Sequence, residues 1–151
     1  MSGFHALRKA TQNDIPFILA LESGPNNQYV HAYSEREHAD NLANPEAHYF
    51  IAEDSAAHPL GFAILFDNEP GRIEWRRIIV KSPGGGVGKQ FMTAVIDYFQ
   101  KNGAKSIWLD VYENNARARH VYSSLGFQET NKTSLQGKPG TTLVIMEKVL
   151  N

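Results

Sequence analysis

Apolar residues recur with a helical period in two segments of the second half of the chain. In the first segment the spacing is i, i+4, i+7, i+8 and i+11, and the residues are Val87, Phe91, Ala94, Val95 and Tyr98. The second segment stops at Gly126, a residue type that commonly ends helices, and its apolar residues are Ala118, Val121, Tyr122 and Leu125. This spacing predicts two amphipathic helices that each bury one face.

Two further helices are predicted near the start of the chain. The polar run 11–14 is a typical helix start, and the apolar residues that follow on one side are Ile15, Ile18, Leu19 and Leu21. Ser34 and Glu37 have the spacing of a capping box, which predicts a second helix to about Ala43. Residues 23–27 contain glycine and proline, which predicts a loop between the two helices.

Runs rich in β-branched and aromatic residues predict seven strands, at 4–9, 49–53, 60–67, 73–80, 106–112, 127–133 and 141–149. Short turns join the second, third and fourth runs and predict an antiparallel meander, whereas a helix between the fourth and fifth predicts a parallel β-α-β unit. The element order is β-α-α-β-β-β-α-β-α-β-β. It predicts one mixed α/β domain over residues 1–151.

Composition removes several classes of function. The chain has 151 residues and no cysteine, which excludes disulfides, thiolate nucleophiles and cysteine-zinc sites. Lys and Arg number 15 against 16 Asp and Glu, so a nucleic-acid partner has no electrostatic support. No apolar run approaches the roughly 18 residues of a membrane helix, and no secretory signal is recognised. The histidines lack metal-ligand spacing. We therefore expect a cytoplasmic protein without a metal, nucleic-acid or membrane partner.

A glycine-rich stretch, with Gly84, Gly85, Gly86 and Gly88, lies between the fourth predicted strand and the helix that follows. Backbone N–H groups and the positive end of the helix dipole meet there, which is typical of a phosphate site. A P-loop nucleotide-binding protein is disfavoured, because Pro83 and Gln90 stand where that motif has Gly and Ser or Thr. The alternative of a plain turn does not require so many adjacent glycines. The stretch indicates a phosphate-containing cofactor.

A motif in the following helix, read together with residues 73–90, gives the chain a resemblance to a known family. The matching residues are Asn115, Ala118, Tyr122, Gly126 and Phe127. The chain resembles the GNAT superfamily of acetyl-coenzyme A-dependent N-acetyltransferases, and most nearly its small bacterial members. The resemblance covers essentially the whole chain and implies the GNAT fold. Pro83 departs from it, because the family usually has Gln or Arg at that position.

The resemblance implies acetyl-coenzyme A as the cofactor, with its pyrophosphate over the glycine stretch. The implied cofactor-binding residues are Ile78, Ile79, Val80, Gly84, Gly85, Gly86, Val87, Gly88, Lys89, Asn115 and Arg117. Asn115 has a second and compatible role as a helix N-cap. Arg117 and Arg119 also fit a solvated helix face.

The resemblance also places the acceptor beside the segment that joins the first two helices. The implied substrate-binding residues are Glu22, Asn26, Asn27, Tyr29 and Tyr33. A carboxylate together with amides and aromatic faces suits a cation. We therefore expect a small-molecule amine or an exposed protein amine as the acceptor. A homodimer remains an open alternative.

Two side chains are candidates for catalysis. The resemblance makes Tyr122 the general acid for the departing thiolate and Glu74 the base for the amine. Strand alternation predicts that Glu74, Arg76, Ile78 and Val80 share one face of their strand. The structural alternatives are a packed ring for Tyr122 and a carboxylate paired with Arg76 for Glu74. For the whole chain, the alternative to catalysis is a module that senses coenzyme A without turnover.

Overall fold

The computed structural model describes residues 3–24, 32–134 and 142–151. The elements in chain order are β1 (Ala6–Lys9), α1 (Ile15–Glu22), α2 (Glu35–Ala43), β2 (Ala47–Glu53), β3 (Pro59–Glu69), β4 (Arg72–Val80), α3 (Val87–Lys101), β5 (Ser106–Tyr112), α4 (Ala116–Ser124), β6 (Gln128–Ser134) and β7 (Leu143–Val149). One turn of 3-10 helix, Gln12–Asp14, precedes α1. The predicted order of helices and strands is confirmed.

Reciprocal side-chain caps start two helical segments where the sequence predicts them. Ser34 Oγ accepts a hydrogen bond from the Glu37 N–H at 3.1 Å, and Glu37 Oε1 accepts one from the Ser34 N–H at 2.9 Å. Thr11 and Asp14 form the same kind of pair around the 3-10 turn. Such pairs satisfy N–H donors that have no partner inside the helix, so short polar side chains at this spacing mark helix starts.

The seven strands form one mixed sheet in the order β1-β2-β3-β4-β5-β7-β6. Only β4 and β5 run parallel, as the β-α-β unit predicts, and all other neighbours are antiparallel. The last strand, β7, inserts between β5 and β6. The sequence predicts the β6–β7 pair but not this insertion.

Helices cover both faces of the sheet. On one face α3 and α4 pack over a core that includes Phe91, Val95, Phe99, Ile107 and Met146. On the other face α1 and α2 pack over a smaller core that includes Ile18, Ile51, Phe62 and Ile64. Both faces are therefore buried in the middle of the sheet.

A β-bulge at Arg76 changes the direction of the side chains along β4. Ile64 of β3 lies opposite Arg77 and Leu65 lies opposite Trp75, so Arg76 is the extra residue. The Trp75 indole N–H donates to the Arg77 carbonyl oxygen at 3.0 Å within this bulge. One extra residue reverses the alternation of side chains that follow it.

The bulge makes the predicted common face of β4 wrong. Ile78 and Val80 pack against the core under α3, whereas Ile79 belongs to the core under α1. Glu74 and Arg76 lie on the α1 face, because Arg76 reaches the ring of Phe66 in the α1 core. Glu74 and Arg76 thus lie on the face opposite to Ile78 and Val80.

Candidate functional site

The strands β4 and β5 pair over only three residues and then part. Their parallel register joins Arg72–Glu74 to Ser106–Trp108, and no pairing follows in the described residues. The second half of each strand therefore borders a gap in the middle of the sheet. Main-chain groups of β4 beyond Glu74 face this gap, and the glycine stretch lies at its end.

The N-terminus of α3 carries N–H groups without partners. Its N-cap is Gly86, with φ of 84° and no side-chain cap, and the first helical hydrogen bond runs from the Gln90 N–H to the Gly86 carbonyl oxygen at 3.1 Å. The N–H groups of Val87, Gly88 and Lys89 consequently have no acceptor within the described part of the chain. Unpaired N–H groups at the positive end of a helix dipole attract an anion.

A cation lies beside the same stretch. A methyl group placed on Gly84, whose φ is 92°, would lie 3.4 Å from a guanidinium nitrogen of Arg117. Arg117 belongs to the first turn of α4, so its side chain brings a positive charge from α4 to the glycine stretch before α3. This location supports the predicted role of Arg117 at a phosphate. Arg119 is instead engaged on the surface with Glu129, at 2.7 Å.

Asn115 caps α4. Its Oδ1 accepts a hydrogen bond from the Ala118 N–H at 3.4 Å, which confirms the capping role. The contact with a cofactor that the resemblance implies for Asn115 stays a prediction.

The phenol of Tyr122 projects from α4 into the same region. Its ring packs against Phe127, with the two ring centres 6.1 Å apart. Burial, followed by the charge of Asp110, raises the pKa of Tyr122 to about 12. The hydroxyl makes no hydrogen bond to any described residue. The phenol is therefore protonated at neutral pH and available to donate.

Glu74 is paired with Arg76. Its two carboxylate oxygens accept hydrogen bonds from Nε and Nη2 of Arg76, both at 2.7 Å. Arg76 also donates through Nη1 to the Tyr33 hydroxyl at 3.0 Å, and its guanidinium lies 4.3 Å from the centre of the Phe66 ring. This ion pair with Arg76 is the structural alternative to a role for Glu74 as the base. The structure thus contains the alternative partner, and the role of Glu74 as base stays a prediction.

Asp110 is a candidate that the sequence analysis missed. It lies on β5 two residues beyond Trp108, the last partner of β4, where the two strands have parted. The surrounding protein raises its pKa through burial, and the negative charge of Glu74 raises it further. The signal in the sequence was an acidic residue between the apolar Leu109 and Val111. That pattern equally describes a solvated strand face, so it did not distinguish the residue.

Glu22 occupies a buried polar cluster at the end of α1. Its side chain is only 1% exposed and pairs with Arg77 of β4 and with His38 Nε2 of α2, the latter at 2.7 Å. His38 Nδ1 lies 2.7 Å from the Tyr49 hydroxyl. Tyr33 covers this cluster, because its ring stacks on the Arg77 guanidinium at 4.5 Å. The Glu22 carboxylate is therefore occupied within the protein and does not meet an acceptor directly.

The remaining predicted acceptor residues, Asn26, Asn27 and Tyr29, lie outside the described residues. The other two predicted residues, Glu22 and Tyr33, lie at the ends of that segment. Both contact β4 at the bulge, Glu22 through Arg77 and Tyr33 through Arg76. Among the described residues, Tyr33 and Arg76 therefore lie together at this part of β4, and their contact with an acceptor stays a prediction.

No group of three or more His, Asp or Glu side chains within residues 3–24, 32–134 and 142–151 is placed to hold a metal ion. No helix in those ranges is both long and apolar enough to cross a bilayer.

A model of the acetyltransferase (GNAT) family matches residues 6–127. The chain belongs to this family. Three curated relatives match over shorter segments. The Escherichia coli ribosomal protein bS18-alanine N-acetyltransferase is 41% identical over 44 residues, which is 29% of this chain and 30% of that protein. The Bacillus subtilis spermine/spermidine N(1)-acetyltransferase is 31% identical over 75 residues, 48% of this chain and 49% of that protein.

The third relative is the mycothiol acetyltransferase of Renibacterium salmoninarum, 41% identical over 59 residues. The match covers 39% of this chain and 18% of that protein. The chain thus spans less than half the length of each of these relatives.

Solved structures show the same fold. A chimera of the Vibrio cholerae spermidine N-acetyltransferase and hSSAT superposes with a TM-score of 0.85 at 20% identity, covering 95% of this chain and 94% of that one. The Escherichia coli ribosomal-protein-S18-alanine N-acetyltransferase gives a TM-score of 0.79 at 22% identity, covering 97% and 94%. The predicted GNAT fold is confirmed.

Proposed function

We propose that this protein is an N-acetyltransferase that moves the acetyl group of acetyl-coenzyme A directly onto a primary amine, with residues 1–151 as one catalytic domain. The observation that carries the proposal is the convergence at one gap of a helix N-terminus without a side-chain cap and a protonated phenol that makes no hydrogen bond to a described residue. Membership of the acetyltransferase family and the N-acetyltransferases among its relatives support the same activity.

The residues around the gap fit coenzyme A. Enzymes of this family use acetyl-coenzyme A as the acetyl donor. The unpaired N–H groups of Val87, Gly88 and Lys89 would hold a pyrophosphate, assisted by Gly84 to Gly86, where the missing side chains permit close approach. Arg117 adds a positive charge beside Gly84. Pro83 offers no side-chain donor, so this cradle relies on the main chain.

The pantetheine arm would lie along β4 in the gap. The N–H and carbonyl groups of Ile78 and Val80 point to the β5 side, where β4 has no neighbour, because the next residue, Lys81, donates its N–H to the Leu60 carbonyl oxygen of β3 at 2.7 Å. They are the donors and acceptors for its amides, and the contact implied for Ile79 stays a prediction. Asn115, at the start of α4, borders the same end of the gap.

The proposed reaction needs a proton donor and a proton acceptor. A C–N bond forms to the amine while the C–S bond of the thioester breaks, so the amine loses a proton and sulfur gains one. When bound, acetyl-coenzyme A supplies the activated carbonyl carbon. Tyr122 donates from its hydroxyl to the departing sulfur, because its raised pKa of about 12 keeps that proton in place at neutral pH.

Two carboxylates are candidates for the proton acceptor. Glu74 is the predicted base, but Arg76 binds both of its oxygens. Asp110 has no such partner in the described residues, and its raised pKa makes it a stronger base than an ordinary aspartate. We therefore propose that Asp110 shares or replaces the role predicted for Glu74.

Release of free thiol in the presence of amines tests the function. The screen offers acetyl-coenzyme A with polyamines, amino acids, aminoglycosides and peptides that have a free N-terminus, and mass spectrometry identifies the acetylated amine. Thiol release that depends on an amine and falls sharply in Tyr122→Phe is the expected result. Calorimetric binding of coenzyme A without any turnover would instead support the sensing module.

A further inference from the structure

We propose that the acceptor is an α-amino compound, with its ammonium group bound by Asp110 and its neighbouring carboxylate or carbonyl oxygen bound by Arg76. This inference rests on the proposed acetyl transfer and adds the class of acceptor. Amino acids and peptide N-termini share this chemistry. Polyamines lack the oxygen.

Asp110 and Arg76 lie on one face of the sheet, on either side of the gap. Glu74 and Trp108 are partners at the end of the parallel pairing, and partners in a sheet share a face. Asp110 lies on that face because it follows Trp108 by two residues, and the bulge keeps Arg76 there beside Glu74. Paired strands are about 4.8 Å apart, so the two backbones are farther apart than that beyond the point of parting.

Arg76 is held in place with part of its guanidinium unused. A guanidinium has five N–H groups. Two of those in Arg76 donate to Glu74 and one donates to the Tyr33 hydroxyl. The other two make no hydrogen bond within the described residues. Stacking on Phe66 orients the plane of the group. A planar fork held in this way matches the two oxygens of a carboxylate, or the single oxygen of a carbonyl.

Asp110 supplies the complementary negative charge. Among the carboxylates that α1, β4 and β5 place near the gap in the described residues, Glu22 pairs with Arg77 and Glu74 pairs with Arg76. Within the described residues Asp110 forms no salt bridge, although the charge of Arg76 reaches it, and its partner on β7 is the apolar Ile145. The gap therefore offers a carboxylate that is outside any salt bridge beside one oriented guanidinium.

The segment that joins α1 to α2 adds no carboxylate. Residues 23–34 contain neither Asp nor Glu. A single ammonium group is therefore matched at this face by a single negative charge. A polyamine brings additional positive charges, for which the other carboxylates of the described residues near the gap are already in ion pairs with Arg76 and Arg77.

The test compares four acceptors in the thiol-release assay, with products identified by mass spectrometry. The acceptors are free alanine, a short peptide with N-terminal alanine, spermidine and propylamine. We expect kcat/KM for alanine or for the peptide to exceed that for both other amines by about tenfold to a hundredfold, the range of one charge-assisted hydrogen bond. The comparison of alanine with the peptide identifies the source of the α-amine.

The variant Arg76→Gln tests the assigned residue. We expect it to reduce the ratio of kcat/KM between the α-amino acceptor and propylamine by at least about tenfold. Arg72→Gln is the matched control, because Arg72 lies on the same strand and pairs with Glu69 and Glu147 where β4 and β5 are still joined. This control should retain the ratio.

The outcomes separate the two proposals. A wild-type preference for spermidine or propylamine, or a ratio that Arg76→Gln leaves unchanged, overturns this inference and leaves the acetyl transfer in place. Absence of thiol release with every acceptor, when calorimetry shows that coenzyme A binds, overturns the proposed function and this inference with it.

Discussion

Arg76 binds Glu74 through two hydrogen bonds of 2.7 Å, and the two residues are separated in sequence only by Trp75. In a regular strand, residues two apart share a face, and here the bulged position of Arg76 brings the guanidinium directly onto the carboxylate. The pair raises the pKa of Arg76. Because both oxygens of Glu74 accept from Arg76, the carboxylate is less available to an amine. Asp110, which forms no salt bridge within the described residues, becomes the stronger candidate for the proton acceptor.

Replacement of Tyr122 by Phe should lower kcat by about 10²–10⁴-fold, the usual contribution of general acid–base catalysis. The ring that packs on Phe127 is retained, so coenzyme A affinity and thermal stability should change little. Single-turnover kinetics and calorimetry measure the two effects separately. A near-wild-type chemical step in the variant would leave Tyr122 with a packing role only.

Replacement of Gly86 by Trp should weaken coenzyme A binding. Gly103 is a matched control, because both glycines have positive φ, 84° and 86°, with open space at the Cβ position, and they flank opposite ends of α3. Gly86→Trp and the control Gly103→Trp impose a similar backbone strain of about 1–2 kcal/mol. Only Gly86→Trp places a bulky group over the unpaired N–H groups. Equal coenzyme A affinities for the two variants, measured by calorimetry on folded protein, would contradict the phosphate site.

The variants Asp110→Asn and Glu74→Gln should differ in their pH profiles. If Asp110 accepts the proton, kcat/KM of the wild type falls at acidic pH as its raised pKa is crossed, and Asp110→Asn abolishes that acidic limb. The measurement uses an acceptor amine with a pKa near 10. Deprotonation of that amine at pH 7 costs about 4 kcal/mol, so the need for a base is greatest. Loss of the limb in Glu74→Gln, with Asp110→Asn unchanged, would return the role to Glu74.

Asp110→Asn should also stabilise the protein at neutral pH. The pKa of Asp110 is raised in the folded state, so the folded protein binds this proton more tightly than the unfolded chain does. The stability of the wild type therefore decreases as the pH rises from the unfolded pKa of about 3.9 through the folded value. Urea denaturation of both proteins at several pH values should show an advantage for the variant at pH 7 that disappears at low pH. A variant less stable than wild type at pH 7 would contradict this.

Glu22→Gln should destabilise the fold by about 3–5 kcal/mol, because the buried ion pair between Glu22 and Arg77 would be broken. The control is Glu129→Gln, which removes the partner of Arg119 from a pair with 31% and 41% exposed side chains. Exposed pairs contribute about 0–1 kcal/mol, so the control should be nearly neutral. Chemical denaturation measures both. Equal small effects would mean that Glu22 is not the centre of the buried cluster.

The sequence by itself determined the local structure and the family of this protein. The apolar period of α3, the capping box at Ser34 and the glycines before Val87 each depend on residues close in the chain, and each predicted element is present. The motif from Asn115 to Phe127 is equally local, and it was enough to indicate the family that the match over residues 6–127 shows.

The tertiary structure decided which side chains meet. The extra residue at Arg76 is visible only in the register of β3 against β4, and it moved Ile78 and Val80 to the face opposite Glu74. The partners of Glu22 lie 16 and 55 residues away in the chain, so its burial did not follow from the pattern of α1. Asp110 resembles any polar strand residue until the parting of β4 and β5 places it beside the gap. Strand pairing and the burial of charge depend on contacts distant in the chain, and a one-residue shift in register reverses every side chain beyond it.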